Sequence, residues 1–154
     1  MRPFQTREGT YNNLKNFTVA EGGNTKGHDV PVVASVAIEE GTFLAPDVGT
    51  GIYVVADSTS KDMVLLRQAI RTTDSDFAVS GKIKHGEDIF HATTPINFTV
   101  GAGGALTQAL VGTRVNLHTD GKSLDITPAV GGQFTIVKVV DATSGVAVLN
   151  ATTL

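Results

Sequence analysis

The chain has 154 residues, a formal net charge of −3 at pH 7 and a hydrophobic fraction of 41%. This length and apolar content suit a folded domain and argue against disorder throughout. The weak acidic charge offers no basic field for nucleic acid, the lack of cysteine excludes disulfides and thiolate metal sites, and no apolar run is long enough to cross a membrane.

The apolar residues are mainly Val, Ile, Leu and Ala, accompanied by seventeen Gly and no Trp. β-branched residues interrupted by glycine favour strands and tight turns over helices. We therefore predict a mainly β fold, with a small antiparallel β-barrel or sandwich, an extended N-terminal arm and C-terminal β-hairpins.

Residues 1–29 are polar and carry spaced apolar anchors. So little apolar surface does not offset the entropy of ordering such a segment alone. A frayed terminus is one interpretation, and an arm that orders against a neighbouring subunit is the other. We predict the arm, followed by a β domain over residues 30–154, either as one unit or as two β lobes with a break near residues 93–112.

The β domain begins with alternating or continuous apolar runs. Strands are predicted over residues 30–38, 42–45 and 52–56. Residues 62–71 fit either a helical face or an alternating strand, and the β-rich surroundings favour the strand. Further strands are predicted over residues 77–86, 88–92 and 96–100.

The last third carries the clearest hairpin signals. Strands predicted over residues 114–118 and 123–127 flank the pair Asp120-Gly121, a sequence typical of a two-residue turn in which both central residues have positive φ. A second hairpin is predicted over residues 133–150, with its turn at residues 141–144.

The densest polar group is formed by His85, Glu87, Asp88 and His91. Imidazole and carboxylate groups so close in sequence are able to bind Zn²⁺ or a harder cation. Charged residues are also common at turns, and a turn is predicted here, so we interpret this group as solvated and leave metal binding by His85, Glu87 and His91 open. An enzyme would need these three residues to line a pocket. We predict no catalytic, cofactor-binding or metal site.

Residues 32–56 combine a β run, the sequence Glu40-Gly41-Thr42-Phe43-Leu44-Ala45-Pro46-Asp47, a Gly49-Thr50-Gly51 turn and the strand-like Ile52-Tyr53-Val54-Val55-Ala56. This stretch resembles the barrel core of the small capsid decoration (cement) proteins of tailed bacteriophages. The polar arm and the cysteine-free composition are similar to that group as well. The hairpins over residues 111–149 have no counterpart in the simplest decoration proteins.

The resemblance implies a structural virion protein, made in the host cytoplasm and located on the capsid surface. It would bind the major capsid protein and itself, as a dimer or trimer that bridges capsomers, without nucleic acid or membrane. The anchors predicted to contact the capsid are Phe4, Tyr11, Leu14 and Phe17. Alternative functions are another phage structural component (tail tube or head-fibre base) and a β-type binding or adhesion module.

Overall fold

The computed structural model of the chain describes residues 16–90 and 93–150. In these residues the only helical structure is one 3₁₀ turn at Gln108–Leu110, so the predicted mainly β fold is confirmed. The strands, in chain order, are β1 (Thr18–Val19), β2 (Thr25–Gly27), β3 (Val30–Val32), β4 (Phe43–Pro46), β5 (Tyr53–Val55), β6 (Val64–Leu66), β7 (Lys82–Lys84), β8 (Gly86–Ile89), β9 (Pro95–Ala102), β10 (Arg114–Leu117), β11 (Leu124–Asp125), β12 (Phe134–Asp141) and β13 (Ser144–Leu149).

Five strands close into a barrel in the order β9, β11, β10, β12, β13, because β13 also pairs with β9. That closing pair is antiparallel and runs from Ser144 opposite Thr99 to Val148 opposite Pro95. Closure pairs backbone N–H and C=O groups that would otherwise be exposed at open strand edges. The barrel is not purely antiparallel, since β11 runs parallel to β9. Strand β1 pairs with β9 as an addition to the barrel.

The barrel strands follow the two-residue period of a half-buried sheet. In β13 every second residue is buried, and in β12 Phe134 and Ile136 point inward. The pairing of β12 with β13 then shifts register between Ile136 and Lys138. From Val137 onwards most of β12 is exposed, including Val137 and Val140, although Val139 still packs against the core.

The second sheet has seven strands in the order β2, β8, β6, β4, β5, β3, β7. Its strand β6 is buried on both faces. Leu65 belongs to the core shared with the barrel, whereas Val64 and Leu66 belong to a second cluster on the opposite face. Burial on both faces explains why this stretch is continuously apolar rather than alternating.

One apolar core joins the seven-stranded sheet to the barrel. The rings of Phe17 and Phe43 lie 4.7 Å apart, and each lies 5.7 Å from the ring of Phe134. Phe43 comes from the sheet and Phe134 from the barrel, and Phe17 precedes both in sequence. Each such aromatic pair stabilises the fold by about 0.5–1.5 kcal/mol, in addition to the effect of its buried area. The chain passes from the sheet to the barrel between Ile89 and Pro95.

The structure corrects the arm prediction for residues 16–29. Strand β1 pairs with β9, and β2 pairs with β8, so this segment contributes to both sheets instead of extending away from them. Phe17 is only 1% exposed. Its ring is therefore a core residue and cannot serve as the partner anchor that the sequence predicted. Residues 1–15 lie outside the described part of the chain.

Two other local predictions differ from the structure. The run predicted over residues 30–38 ends as a strand at Val32, and Ser35 has a φ of +59°, which interrupts extended backbone. At the Asp120-Gly121 pair only Gly121 has positive φ. The loop between β10 and β11 is longer than a two-residue turn, and the Asp120 carboxylate holds it by accepting hydrogen bonds from the Lys122 N–H and the Ser123 hydroxyl. The strand prediction within residues 62–71 is confirmed by β6.

This loop also holds the barrel against the sheet. The Phe43 N–H donates to the Gly121 carbonyl at 2.8 Å, and Lys122 Nζ lies 2.8 Å from Glu39 Oε2. Gly121 has a φ of +72°, and a Cβ at this position would lie 2.5 Å from Val55 Cγ1. Glycine is thus required here both by the backbone conformation and by the close approach of β5.

Candidate functional site

The polar group singled out in the sequence forms pairs rather than a metal centre. His85 Nδ1 lies 2.9 Å from Asp29 Oδ1, and His28 Nδ1 lies 2.9 Å from Asp88 Oδ1. Glu87 instead faces Arg67, at 3.6 Å. Among the described residues, no three His, Asp or Glu side chains are placed to hold a metal ion. His91 lies outside the described residues.

The loop Asp57–Met63, which connects β5 to β6, is held in shape by its own side chains. The Asp57 carboxylate accepts hydrogen bonds from the Thr59 N–H at 2.9 Å and the Thr59 hydroxyl at 2.6 Å. These bonds, and weaker ones from Ser60, hold the pKa of Asp57 below its usual value. The loop therefore has a defined conformation at neutral pH.

Gln133 connects this loop to the barrel. Its Nε2 donates to the carbonyl oxygens of Asp57 and Ser60, at 3.0 and 2.7 Å, and its Oε1 accepts the Leu117 N–H at 2.8 Å. One side chain thereby satisfies backbone groups on two parts of the fold. These three hydrogen bonds to backbone groups fix the position of the loop relative to β10.

Three clefts meet at this loop, and all three are lined in part by Lys61. Their volumes are about 400, 590 and 520 Å³. The first lies towards the barrel, beside Gly132 and Gln133, and the third lies beside the turn that bears Val48, which is 98% exposed. They also share Met63, Asp62 and Ser60 pairwise, so together they form a grooved surface around this loop.

The cleft of about 590 Å³, called the Tyr53 cleft here, has the most varied lining. Met63 and Ile89 are buried, at 7% and 4% exposure, and form apolar parts of its wall. Phe90 is 43% exposed and lies at the same surface. The polar residues of the lining are His28, Lys61, Asp62 and Asp88.

Tyr53 lines this cleft together with His28 and Phe90. Its ring meets the His28 ring edge-on, with centroids 6.4 Å apart. Burial raises the pKa of Tyr53, and the negative charges of Asp88 and then Asp62 raise it further. Both carboxylates therefore act electrostatically on the same side chain.

The residues predicted as partner anchors are distributed differently. Phe4, Tyr11 and Leu14 lie outside the described residues, and Phe17 lies in the core. The clefts are lined by His28 and Asp88 but by neither His85 nor Glu87. No sequence signal indicates the Tyr53 cleft, since the residues that form it are distant in the chain and only the strand order β8, β6, β4, β5 brings them together.

Comparison of the chain with models of protein families, with curated proteins and with solved structures found no match. In the described residues no helix is long and apolar enough to span a membrane.

Proposed function

We propose that the chain is a structural virion protein that binds the outside of a tailed-phage capsid and stabilises it by bridging capsomers. The proposal begins from the resemblance of residues 32–56 to capsid decoration proteins. In the structure this stretch runs from the last residue of β3 through the β4–β5 hairpin, whose turn exposes Val48 almost completely. The hairpin stands beside the clefts described above.

The observation that carries the proposal is the grooved surface around the Asp57–Met63 loop. Three adjoining clefts of several hundred Å³ each extend over a wider area than one small ligand would fill. An extended surface with an exposed Val48 and Phe90 and a polar rim suits a protein partner. The major capsid protein is the partner that we propose.

The N-terminal residues supply the second contact in this proposal. Asn16 is held where its side-chain amide donates to the Glu40 carbonyl at 2.7 Å and to Glu39 Oε1 at 3.1 Å. The described part of the chain therefore begins at a fixed point of the domain. Phe4, Tyr11 and Leu14 remain the proposed anchors on the capsid, and Phe17 is withdrawn from that set.

The proposed mechanism is additive binding. Each copy, as part of a dimer or trimer, buries surface across a junction between capsomers, and its binding free energy favours the intact shell. Pressure from the packaged genome must then overcome this added free energy before the shell opens. The protein needs no chemical step for this role.

Co-sedimentation tests the proposal. The purified chain is mixed with expanded and with unexpanded empty capsids assembled from the major capsid protein encoded in the same genome. We expect saturable binding to expanded capsids at a copy number compatible with capsid symmetry. The absence of binding to either form would overturn the proposal.

The arm contact is tested in the same assay with two matched triple variants. Phe4, Tyr11 and Leu14 are replaced by Ser in one, and Gln5, Asn12 and Asn13 are replaced by Ala in the other. Loss of apolar anchors is expected to weaken binding at least about tenfold, whereas the control should stay within about twofold of wild type. Equal binding by both variants would remove the arm from the interface.

A tail-tube component is the second candidate, and one sheet edge favours it. Among the strands of residues 16–90 and 93–150, β7 pairs only with β3. The Val33 N–H donates to the Tyr53 carbonyl, so alternate residues of β3, including Pro31, direct their backbone groups towards β5. Ile83, opposite Pro31, must then direct its own N–H and C=O away from β3, and its side chain is 61% exposed.

Sheet continuation at this edge would join subunits into a ring. Lys82 and Lys84 point inward on the same strand, at 5% and 6% exposure, which is a feature of edges protected against such pairing. We therefore place the ring-forming function second. Rings formed by the purified protein alone, seen by electron microscopy, would reverse that order.

A further inference from the structure

The Tyr53 cleft combines apolar surface, aromatic rings and carboxylates in one concave site of about 590 Å³. Met63 and Ile89 give it an apolar wall, and Tyr53 and Phe90 contribute ring surface. Carboxylates come from both sides, with Asp62 on the loop before β6 and Asp88 on β8. A planar cation beside such rings gains from the ring quadrupole as well as from the carboxylates.

The two carboxylates differ in how far they are already engaged. Asp88 Oδ1 is 2.9 Å from His28 Nδ1, so its other oxygen is the one available to a ligand. Asp62 forms no hydrogen bond or ion pair with any other residue that the structure describes. Lys61, next to it, also lines the cleft, and it has interactions of its own. Asp62 is thus the carboxylate best placed to take a new partner.

We propose that the Tyr53 cleft binds an arginine side chain of the partner protein. The guanidinium group would lie against the Tyr53 and Phe90 rings and donate hydrogen bonds to Asp62 and Asp88. Arginine fits this lining better than lysine, because its planar group stacks on aromatic rings and donates to carboxylates through several N–H groups at once. Its aliphatic part would lie along the wall of Met63 and Ile89.

That the arginine belongs to a capsid protein rests on the proposed function, whereas binding of the guanidinium group does not. The first experiment therefore uses a small probe on the full chain. N-acetyl-arginine amide is titrated and followed by NMR, with N-acetyl-citrulline amide as a neutral control of nearly the same shape. We expect saturable shifts of the Tyr53 and Phe90 ring resonances with the arginine probe and none with citrulline.

Variants locate the binding. Asp62→Asn is expected to weaken binding of the arginine probe roughly tenfold, the typical effect of losing one charged hydrogen-bond partner. Glu21→Gln removes an exposed carboxylate outside the three clefts and serves as the control, with unchanged affinity. Equal shifts with arginine and citrulline, or equal affinity in Asp62→Asn and wild type, would overturn the proposal. Stronger binding of N-acetyl-lysine amide would overturn the choice of arginine.

The second experiment separates this proposal from the proposed function. Co-sedimentation with expanded capsids is repeated with Asp62→Asn and Glu21→Gln. Reduced capsid binding by Asp62→Asn alone supports a capsid arginine in the cleft. If wild type binds capsids and Asp62→Asn binds them equally well, the cleft is not the contact with the capsid. No binding by wild type overturns the proposed function, and the small-probe result then decides the cleft separately.

Discussion

The barrel and the seven-stranded sheet are made of similar residues, but their strands pair across different distances along the chain. In the barrel, β12 and β13 are neighbours in sequence and pair directly, with Asp141 opposite Ser144 at the turn. In the sheet, β2 pairs with β8, so that Thr25 lies opposite Ile89. The barrel therefore contains much local pairing, and the sheet, apart from its β4–β5 hairpin, depends on contacts between distant segments.

The strands reflect this difference. Strands β9 and β12 each have eight residues, whereas no strand of the seven-stranded sheet has more than four. Strands so short have little stability from their own ladders, and the central ones, β4 and β6, persist because both of their faces are covered. One face packs on the barrel and the other on a second apolar cluster. We infer that the sheet requires the barrel, and that the two regions unfold in one transition.

The most severe test of that inference is Phe17→Ala. Phe17 contacts Phe43 of the sheet and Phe134 of the barrel, so its removal leaves a cavity at the junction. We expect the free energy of unfolding to fall by about 3–5 kcal/mol. Urea denaturation followed by NMR resonances from both regions measures the loss and shows whether they unfold together.

Val48→Ala is the control for this variant, because Val48 is 98% exposed and its truncation should change stability by less than about 0.5 kcal/mol. A single transition for both regions, shifted to lower urea in Phe17→Ala, supports the inference. Separate transitions, with one region unaffected by Phe17→Ala, would show that the sheet and the barrel are independent.

Two glycine variants separate the cost of backbone strain from the cost of disturbing the contact between the barrel and the sheet. Gly112 lies in the barrel region with a φ of +90° and open space where a Cβ would lie, whereas Gly121 has a φ of +72° and meets Val55 of the sheet. Alanine at either position costs about 1–2 kcal/mol for left-handed backbone. Gly121→Ala should cost a further 1–3 kcal/mol, roughly, because its methyl group overpacks the junction.

Thermal or urea unfolding of both variants measures this difference directly. The free energies of unfolding of Gly112→Ala and Gly121→Ala are compared under one set of conditions. Equal losses would mean that β5 moves aside at little cost, and that the barrel loop does not fix the position of the sheet.

The same contrast explains which parts of the fold were predictable. Both hairpins of the last third were found in the predicted segments, although the loop at Asp120-Gly121 is longer than the predicted two-residue turn. The closing contacts between β9, β11 and β13 had no local signal, since strand partners are chosen by the whole fold. The extended arm prediction failed at Phe17, because a single aromatic residue in a polar segment does not indicate whether its ring enters a core or meets a partner.

The candidate site was less predictable than the fold. Tyr53 was assigned to a strand, but nothing in its neighbourhood indicates that Asp62 and Asp88 lie close to it. Asp62 precedes β6 and Asp88 lies in β8, and these strands become neighbours only through the order of the seven-stranded sheet. Sequence proximity instead drew attention to His85 and Glu87, whose side chains face Asp29 and Arg67.

The smallest expected effect is on the pH dependence of stability. It concerns the loop of residues 57–63, which Gln133 connects to the barrel. Hydrogen bonds from Thr59 and Ser60 lower the pKa of Asp57 from its ordinary value of 3.8. A carboxyl group whose pKa is lower in the folded state stabilises the fold above its unfolded pKa and loses this contribution as the pH falls through its folded pKa. Asp57→Asn should therefore make the free energy of unfolding fall less steeply below about pH 4.

Because the Asp57 side chain is largely exposed, solvent screening should keep its contribution below about 1 kcal/mol at neutral pH. Urea titrations between about pH 6 and pH 2 measure it, with Glu21→Gln as a control that should retain the wild-type slope. Backbone hydrogen bonds also lower the pKa of Asp125 and of Asp141, so the Asp57→Asn variant keeps an acid transition. If Asp57→Asn leaves the slope below pH 4 unchanged, the loop is held by Gln133 and the barrel rather than by its own carboxylate.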